Sequence, residues 1–276
     1  GRFSYSNPNL QQIPARNKDL GPMIRSLFLP EEGCVWGCFD YNQQEPRLVV
    51  HFAATTASIR EDASVKEIVD NYSNSNIDFH KTVADMAGIS RIQAKTINLG
   101  LFYGMGKAKL QAELGLSTKQ EAEELFNQYH ERVPFVRDLM NETSRWASRE
   151  GEIRTLLGRG CRFNKWEPAQ FGMHTPMTWE DAMKKYGENR IRRAFTYKAL
   201  NKLIQGSAAD MTKKSMLDLY KEGIIAHIQI HDELDISVES DKKAEQIIEI
   251  MEAAVDLEVP NKVDYESGKT WGDIYD

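Results

Sequence analysis

An acid closes each of two strand-forming segments in this sequence. Val35-Trp36-Gly37-Cys38-Phe39 is a short apolar run that ends on Asp40. Far downstream, Ile224–Ile230 and Leu234–Val238 flank His231-Asp232, which reads as strand, tight turn, strand with Asp232 at the hairpin tip. Two strand-end carboxylates about 190 residues apart can converge on one pair of hard cations. Carboxylate oxygens suit Mg²⁺, and two ions roughly 3.5–4 Å apart can clamp the attacking and leaving oxygens of a phosphoryl transfer. Two solvated turn acids would satisfy the same spacing, so the pattern alone does not choose.

The rest of the chain is mostly helical in pattern. A helix is expected from about Glu45 to Ile59, with Leu48, His51 and Phe52 on one face. Residues 70–77 read as a polar loop and residues 78–87 as short helices. In the helix expected over 91–103, Arg91, Lys95, Leu99 and Tyr103 step across one face over about three turns, with Phe102 and Asn98 beside them. Such a strip suits an extended anion, although one Arg and one Lys four apart also occur on ordinary solvated faces. A long amphipathic helical stretch covers 118–150, broken near Pro134. Residues 159–190, punctuated by Gly, Pro and Trp, look like an insertion. Helix resumes from Arg190 to Tyr220, and a final helix at 242–257 precedes a short tail. Residues 1–22 read as irregular surface chain.

Composition bounds the class. With 276 residues, 41% hydrophobic and 28% charged, the chain can bury a core as one large or two closely packed domains. It has no apolar run long enough to span a membrane. Its three cysteines, Cys34, Cys38 and Cys161, form no CxxC pair and no Cys/His group with zinc spacing, which fits a reducing compartment. The net charge of −6 argues against a nucleic-acid partner, but its distribution does not. Residues 1–129 carry −2, residues 130–215 carry +7 and residues 216–276 carry −11. The chain begins at Gly1 without a signal-peptide pattern and reads as an excised fragment.

Five segments in order carry a specific resemblance. Asp40-Tyr41-Asn42-Gln43-Gln44-Glu45-Pro46-Arg47, Arg91-Ile92-Gln93-Ala94-Lys95 through Tyr103-Gly104, and His231-Asp232-Glu233 resemble motifs A, B and C of family A DNA polymerases, the bacterial DNA polymerase I family. The opening segment Gly1 to Arg16 resembles the family's entry into the palm. Asn201-Lys202-Leu203-Ile204-Gln205 through Asp210 resembles the motif between B and C. Trp166-Glu167-Pro168 and Tyr197 to Asn201 look more like bacteriophage members.

The resemblance implies an α+β fold: a palm with an antiparallel sheet and helices on one side, from 1–57 and 194–276, and mainly helical fingers from 58–193. It implies a DNA-directed DNA polymerase that adds dNTPs to a primer 3′-hydroxyl and releases pyrophosphate. Asp40 and Asp232 would bind two Mg²⁺, for which Mn²⁺ can substitute, with the Tyr41 carbonyl as a further ligand and Glu233 nearby. Arg91, Lys95 and His80 would hold the triphosphate, and Lys95 would protonate the leaving pyrophosphate. Glu45, Tyr103, Leu99 and Gln43 would line the nucleotide pocket, Glu45 crowding a 2′-hydroxyl. Arg16, Arg47, Gln205 and His231 would meet minor-groove acceptors, and Asn201 the template side.

The implied partners are primer-template DNA and dNTPs, with no membrane, in the cytoplasm of a bacterium or phage-infected host; organellar targeting stays open. The family's thumb and 3′→5′ exonuclease domain precede the Gly1-Arg2 segment. Duplex grip is therefore expected from a separate thumb- or exonuclease-bearing segment or a processivity factor. Leu99 stands where bacterial members have Phe, Pro46 replaces an aliphatic residue, and Tyr197 stands where bacterial members have a DNA-contacting Arg. Three rivals remain: a single-subunit RNA polymerase, a non-catalytic primer-template binding fragment, and a structural or interaction protein.

Overall fold

The computed structural model of the protein describes residues 1–14, 17, 19–74, 78–102, 107–170, 172 and 174–274. Arg16 and Tyr103 lie outside the described residues, and of Leu99 only the backbone is described. In chain order the elements are α1 (Leu20–Arg25), β1 (Val35–Tyr41), α2 (Gln44–Thr55), α3 (Ala63–Asn74), α4 (Phe79–Ala87), α5 (Arg91–Phe102), α6 (Lys107–Glu113), α7 (Lys119–Arg132), α8 (Pro134–Glu150), β2 (Glu152–Arg154), β3 (Gly160–Arg162), β4 (Trp166–Pro168), α9 (Trp179–Tyr186), β5 (Ile191–Arg193), α10 (Ala199–Lys221), β6 (Ile228–Ile230), β7 (Glu233–Val238), α11 (Asp241–Glu252) and β8 (Val263–Gly268). The architecture is α+β. The chain divides into two compact units, Gly1–Leu48 with Ser207–Asp276, and Val49–Gly206.

The first unit is built on an antiparallel sheet in the order β6-β7-β1-β8. Side chains alternate across a strand, so β1 sends Phe39 and Tyr41 to one face and Trp36, Cys38 and Asp40 to the other. On the first face Phe39 stacks on Tyr265 with ring centroids 4.7 Å apart. Tyr41 is buried there; its hydroxyl donates to the Met251 carbonyl of α11 and shares a hydrogen bond with Ser215 of α10. Gly37 makes this packing possible, because a Cβ there would lie 2.7 Å from Val238 Cγ2 and 3.0 Å from the Tyr265 ring.

The opposite face carries a second cluster, Trp36, Cys38, Ile228 and Trp271, with Leu10, Ile13 and Phe28 against it. Trp271 stacks on Trp36 at 6.0 Å and meets Phe28 edge-on at 5.3 Å. Burying each such side chain is worth about 2–3 kcal/mol, and together they anchor the residues before β1 beneath the sheet. A short α1 forms within the stretch expected to be irregular through residue 22.

The second unit is helical, with two small ribbons, β2-β3 and β4-β5. The boundary signals are local. Asp78 caps α4 by accepting from the Lys81 amide, and Gly88 ends it in the left-handed region. Pro134 opens α8 and Gly151 closes it. Ala147, Ile153, Phe163, Ala199 and Leu203 form one core cluster of this unit.

Three expectations change. Residues 70–74 continue α3 rather than forming a loop, because Val65, Ile68 and Tyr72 make one buried stripe. Residues 190–198 do not form the expected α-helix: Ile191–Arg193 pairs with Trp166–Pro168, Phe195 takes a φ of 64°, which an α-helix does not tolerate, and only 3-10 turns flank them at Glu188–Arg190 and Thr196–Lys198. The tail is not structureless, since Val263–Gly268 forms the β8 edge of the main sheet.

Candidate active site

In the first unit the register of three strands brings acids together. Asp40 lies opposite Glu233 across β1 and β7 and opposite Asp264 across β1 and β8. Asp264, Asp40 and Glu233 therefore form one rung on the same face. One step back, Cys38 lies opposite Asp235. Asp232 occupies the β6–β7 turn beside this rung, as the sequence pattern predicts. His231 adopts a left-handed φ of 56°, as a tight hairpin requires. The tip is tied down on both sides: Gln229 Nε2 donates to the His231 carbonyl at 2.6 Å, and the Tyr41 amide reaches the Asp232 carbonyl at 3.4 Å.

The electrostatics follow from the rung. Asp40 keeps a solvent-accessible surface, yet its carboxyl is pushed up to about 8. The causes are the protein packed around it, then the charges of Asp232, Glu233, Asp264 and Asp235. Asp232 is raised as well, by burial and by Glu45. Asp235 is fully buried and pushed up to about 6 by that burial, although Trp36 Nε1 (2.9 Å), Cys38 Sγ (2.7 Å) and the charge of Arg25 favour its anion. Crowded oxygen donors of this kind fit a hard dication, which relieves the repulsion holding Asp40 up.

The turn from β1 into α2 sets the neighbours of Asp40. Gln43 takes a φ of 54°, which reverses the chain within two residues of the strand. Asn42 Nδ2 donates to Asp264 Oδ2 at 2.8 Å, and the Asn42 amide donates to the Lys262 carbonyl at 2.9 Å. Arg47, 2% exposed, donates from Nε to the Asn42 carbonyl at 2.7 Å and from its terminal nitrogens to Asn42 Oδ1 and the Pro260 carbonyl. It braces the turn from behind. Glu45, in the first turn of α2, pairs with Arg2 at 2.5 Å.

In the second unit α5 buries Ala94, Ile97 and Asn98 and turns Arg91 and Lys95 outward one turn apart. Arg91 pairs with Asp78 at 2.6 Å. Helical spacing sets Asn98 beside Arg91, yet Asn98 is buried: it donates from Nδ2 to His80 Nδ1 at 3.2 Å and accepts from the Tyr129 hydroxyl. That donation leaves the His80 proton on Nε2. Burial, with Lys95 and Arg91 adding to it against Asp78, pushes His80 down to about 4, so it is a neutral donor at ordinary pH. Asn201 and Gln205 lie half-buried one turn apart on α10, and His231 is exposed on the other unit's hairpin.

The structure thus brings Asp40, Asp232, Glu233 and Glu45 together in one unit and His80, Arg91 and Lys95 in the other. Sequence reasoning passed over Asp264, Asp78 and Tyr129 as site neighbours. The alternation Val263-Asp264-Tyr265-Glu266 was the available signal for the first.

Residues 1–273 match DNA polymerase family A. The chain is 37% identical, over 99% of its length and 43% of the relative's, to a DNA-directed DNA polymerase of Pseudomonas phage M6. It is 34% identical, over 98% of its length and 30% of the relative's, to the DNA polymerase I of Caldicellulosiruptor bescii. It spans less than half the length of these curated relatives. Among solved structures it resembles the POL domain of Pol1 from M. smegmatis, in complex with DNA primer-template and dNTP. That likeness has a TM-score of 0.77 and 28% identity, and covers all of this chain and 47% of that one. With residues 1–273 matched by the family and phage and bacterial relatives 34–37% identical over nearly the whole chain, the chain belongs to DNA polymerase family A.

Proposed function

We propose that this chain carries the nucleotidyl-transfer site of a template-directed DNA polymerase, with residues 1–57 and 194–276 as palm and 58–193 as fingers. The observation that supports this most is the carboxylate rung, oxygen donors from three strands whose repulsion calls for a dication. Asp40 and Asp232, with the Tyr41 carbonyl, would hold two Mg²⁺, or Mn²⁺ in their place. When bound, these supply Lewis-acid activation of the primer 3′-hydroxyl and neutralise phosphate charge. Glu233 and Asp264 flank Asp40 on the same rung and keep the local field negative.

Arg91 and Lys95 supply the anion-binding surface, gripping the triphosphate, and Lys95 gives a proton to the departing pyrophosphate. His80 donates to a phosphate oxygen from Nε2, held by Asn98 and Tyr129. Glu45, with Gln43, Leu99 and Tyr103, walls the sugar, where a carboxylate crowds a 2′-hydroxyl. His231, Gln205, Asn201 and Arg16 meet the duplex; Arg47 supports from within, because its guanidinium is spent on backbone carbonyls. The substrates are dNTPs on primer-template DNA in the cytoplasm, and a thumb-bearing segment supplies duplex grip. Among the described residues no helix is long and apolar enough to cross a membrane.

Primer extension by this chain with Mg²⁺, with and without a thumb-containing fragment, is the direct test. Asp40→Ala and Asp232→Ala should each abolish extension while circular dichroism stays native-like. Extension by either variant overturns the metal assignment. Duplex binding without extension by the unaltered chain favours a binding module instead.

A further inference from the structure

Behind the Asp40 rung, the same sheet face holds a second donor set of a different chemistry. Cys38, Glu233 and Asp235 each offer one ligand atom, and these atoms all lie within 4.8 Å of one another. The fold makes the group from cross-strand register. Glu233 and Asp235 are two apart on β7 and so share a face, and Cys38 sits directly opposite Asp235 on β1. Spacing along the sequence hides it, since nearly 200 residues separate the thiol from the acids.

Two further observations point to a ligand. Asp235 is fully buried, and its Oδ2 accepts no hydrogen bond among the described residues, while both Trp36 Nε1 and Cys38 Sγ converge on Oδ1. A buried carboxylate oxygen without a donor is costly and is retained where something else fills its coordination. The group is also reachable. Cys38 and Asp235 are interior, but Glu233 is only half-buried at the strand end, beside the hairpin tip.

We propose that Cys38, Glu233 and Asp235 form a binding site for a soft divalent cation of the Zn²⁺ class, distinct from the Asp40–Asp232 pair. A thiolate with two carboxylates is a donor set that selects Zn²⁺ over Mg²⁺, which prefers oxygen ligands alone. Tetrahedral coordination with Zn–S of about 2.3 Å and Zn–O of about 2.0 Å brings donors to roughly 3.3–3.5 Å apart. Binding forms the metal–sulfur bond and releases the Cys38 thiol proton to solvent, with no change of oxidation state. Three protein ligands leave a fourth coordination position for water. A cation here would sit one rung from Asp40 and lower the negative field that the outer pair experiences.

Co²⁺ titration of the whole chain tests this without reference to polymerase activity. A thiolate bound to Co²⁺ gives an intense near-ultraviolet charge-transfer band that oxygen-only sites lack. The expected result is one such band per chain, displaced by equimolar Zn²⁺. It should persist in Cys34→Ala, Cys161→Ala and Asp40→Ala, and disappear in Cys38→Ala. Asp235→Asn should weaken Co²⁺ binding at least tenfold. Zn²⁺ should raise the melting temperature of the unaltered chain and leave that of Cys38→Ala unmoved, which also reports that the variant is folded. Absence of the band in the unaltered chain, or its survival in Cys38→Ala, overturns the proposal.

Discussion

The two units solve opposite electrostatic problems. The first, Gly1–Leu48 with Ser207–Asp276, has 12 Lys or Arg against 22 Asp or Glu, a net of −10. The second, Val49–Gly206, has 23 against 19, a net of +4. The first leaves its carboxylates facing one another and bears the repulsion as a raised Asp40. The second pairs Arg91 with Asp78 and keeps His80 neutral. On the proposed function, a cation relieves the first, whereas the second must exchange an internal partner for its ligand. A net charge of −6 conceals this division entirely.

The contrast can be broken most strongly at Asp40. Asp40→Asn should cut extension by on the order of 10³-fold or more. It should also raise the melting temperature in chelator. The folded chain holds the Asp40 proton up to about pH 8, whereas the unfolded chain loses it near 4, so wild-type stability falls as pH rises through that window. The asparagine removes that loss, and melts between pH 5 and 9 in EDTA should show the two proteins diverging. Parallel curves would mean that the rung is not strained.

A smaller effect is expected at the pocket wall. Glu45→Ala should lower discrimination against ribonucleotides by about tenfold, read as the ratio of kcat/KM for dNTP and rNTP. An unchanged ratio removes Glu45 from sugar selection. Smaller again is the release of Arg91. Asp78→Ser keeps the α4 cap but removes the carboxylate, and the exposed pair it breaks is worth about 0.2–1 kcal/mol. The dNTP KM should fall two- to fivefold at constant kcat; a rise would show that Asp78 assists binding instead of competing with it.

The least effect concerns the interior of the helical unit. His130 is buried against Phe126 and Tyr129, with neither ring nitrogen hydrogen-bonded among the described residues, and burial pushes it down to about 4. The unfolded chain therefore takes up the proton first as pH falls, and stability declines from about pH 6.5 to about pH 4. His130→Phe should melt near wild type at pH 7.5 and gain on it steadily below 6.5. Equal slopes would mean that His130 is solvated in the folded chain.

Much of this was legible in the sequence, for identifiable reasons. Val35–Tyr41 is apolar on both faces, and Asp232 sits in a two-residue turn between strand-like runs, so the strand and hairpin announced themselves. The α5 strip was legible because helical spacing fixes which residues share a face. The β8 edge was not, because its outward residues are acidic and the strand reads like a charged tail. Nor was the β5 segment, where strong helix formers nearby are overridden by pairing with β4 and by the Phe195 turn. The resemblance gave Arg47 a minor-groove contact, and only tertiary structure shows its hydrogen bonds to Asn42 and Pro260. Partners set by cross-strand register, such as Asp235 for Cys38, leave no local trace at all.

The register around Asp40 also dictates when the site can exist. β1 finds Glu233 on one side and Asp264 on the other, each roughly 200 residues later in the chain. During synthesis at about 5–20 residues per second, β1 would wait on the order of ten seconds or longer with both edges unpaired. The helical unit between them, rich in local contacts, has time to fold first. The acids and the strand that carries them close last, so any product stopped short of β8 has a finished helical body and an open-edged sheet, the form most exposed to strand-by-strand aggregation.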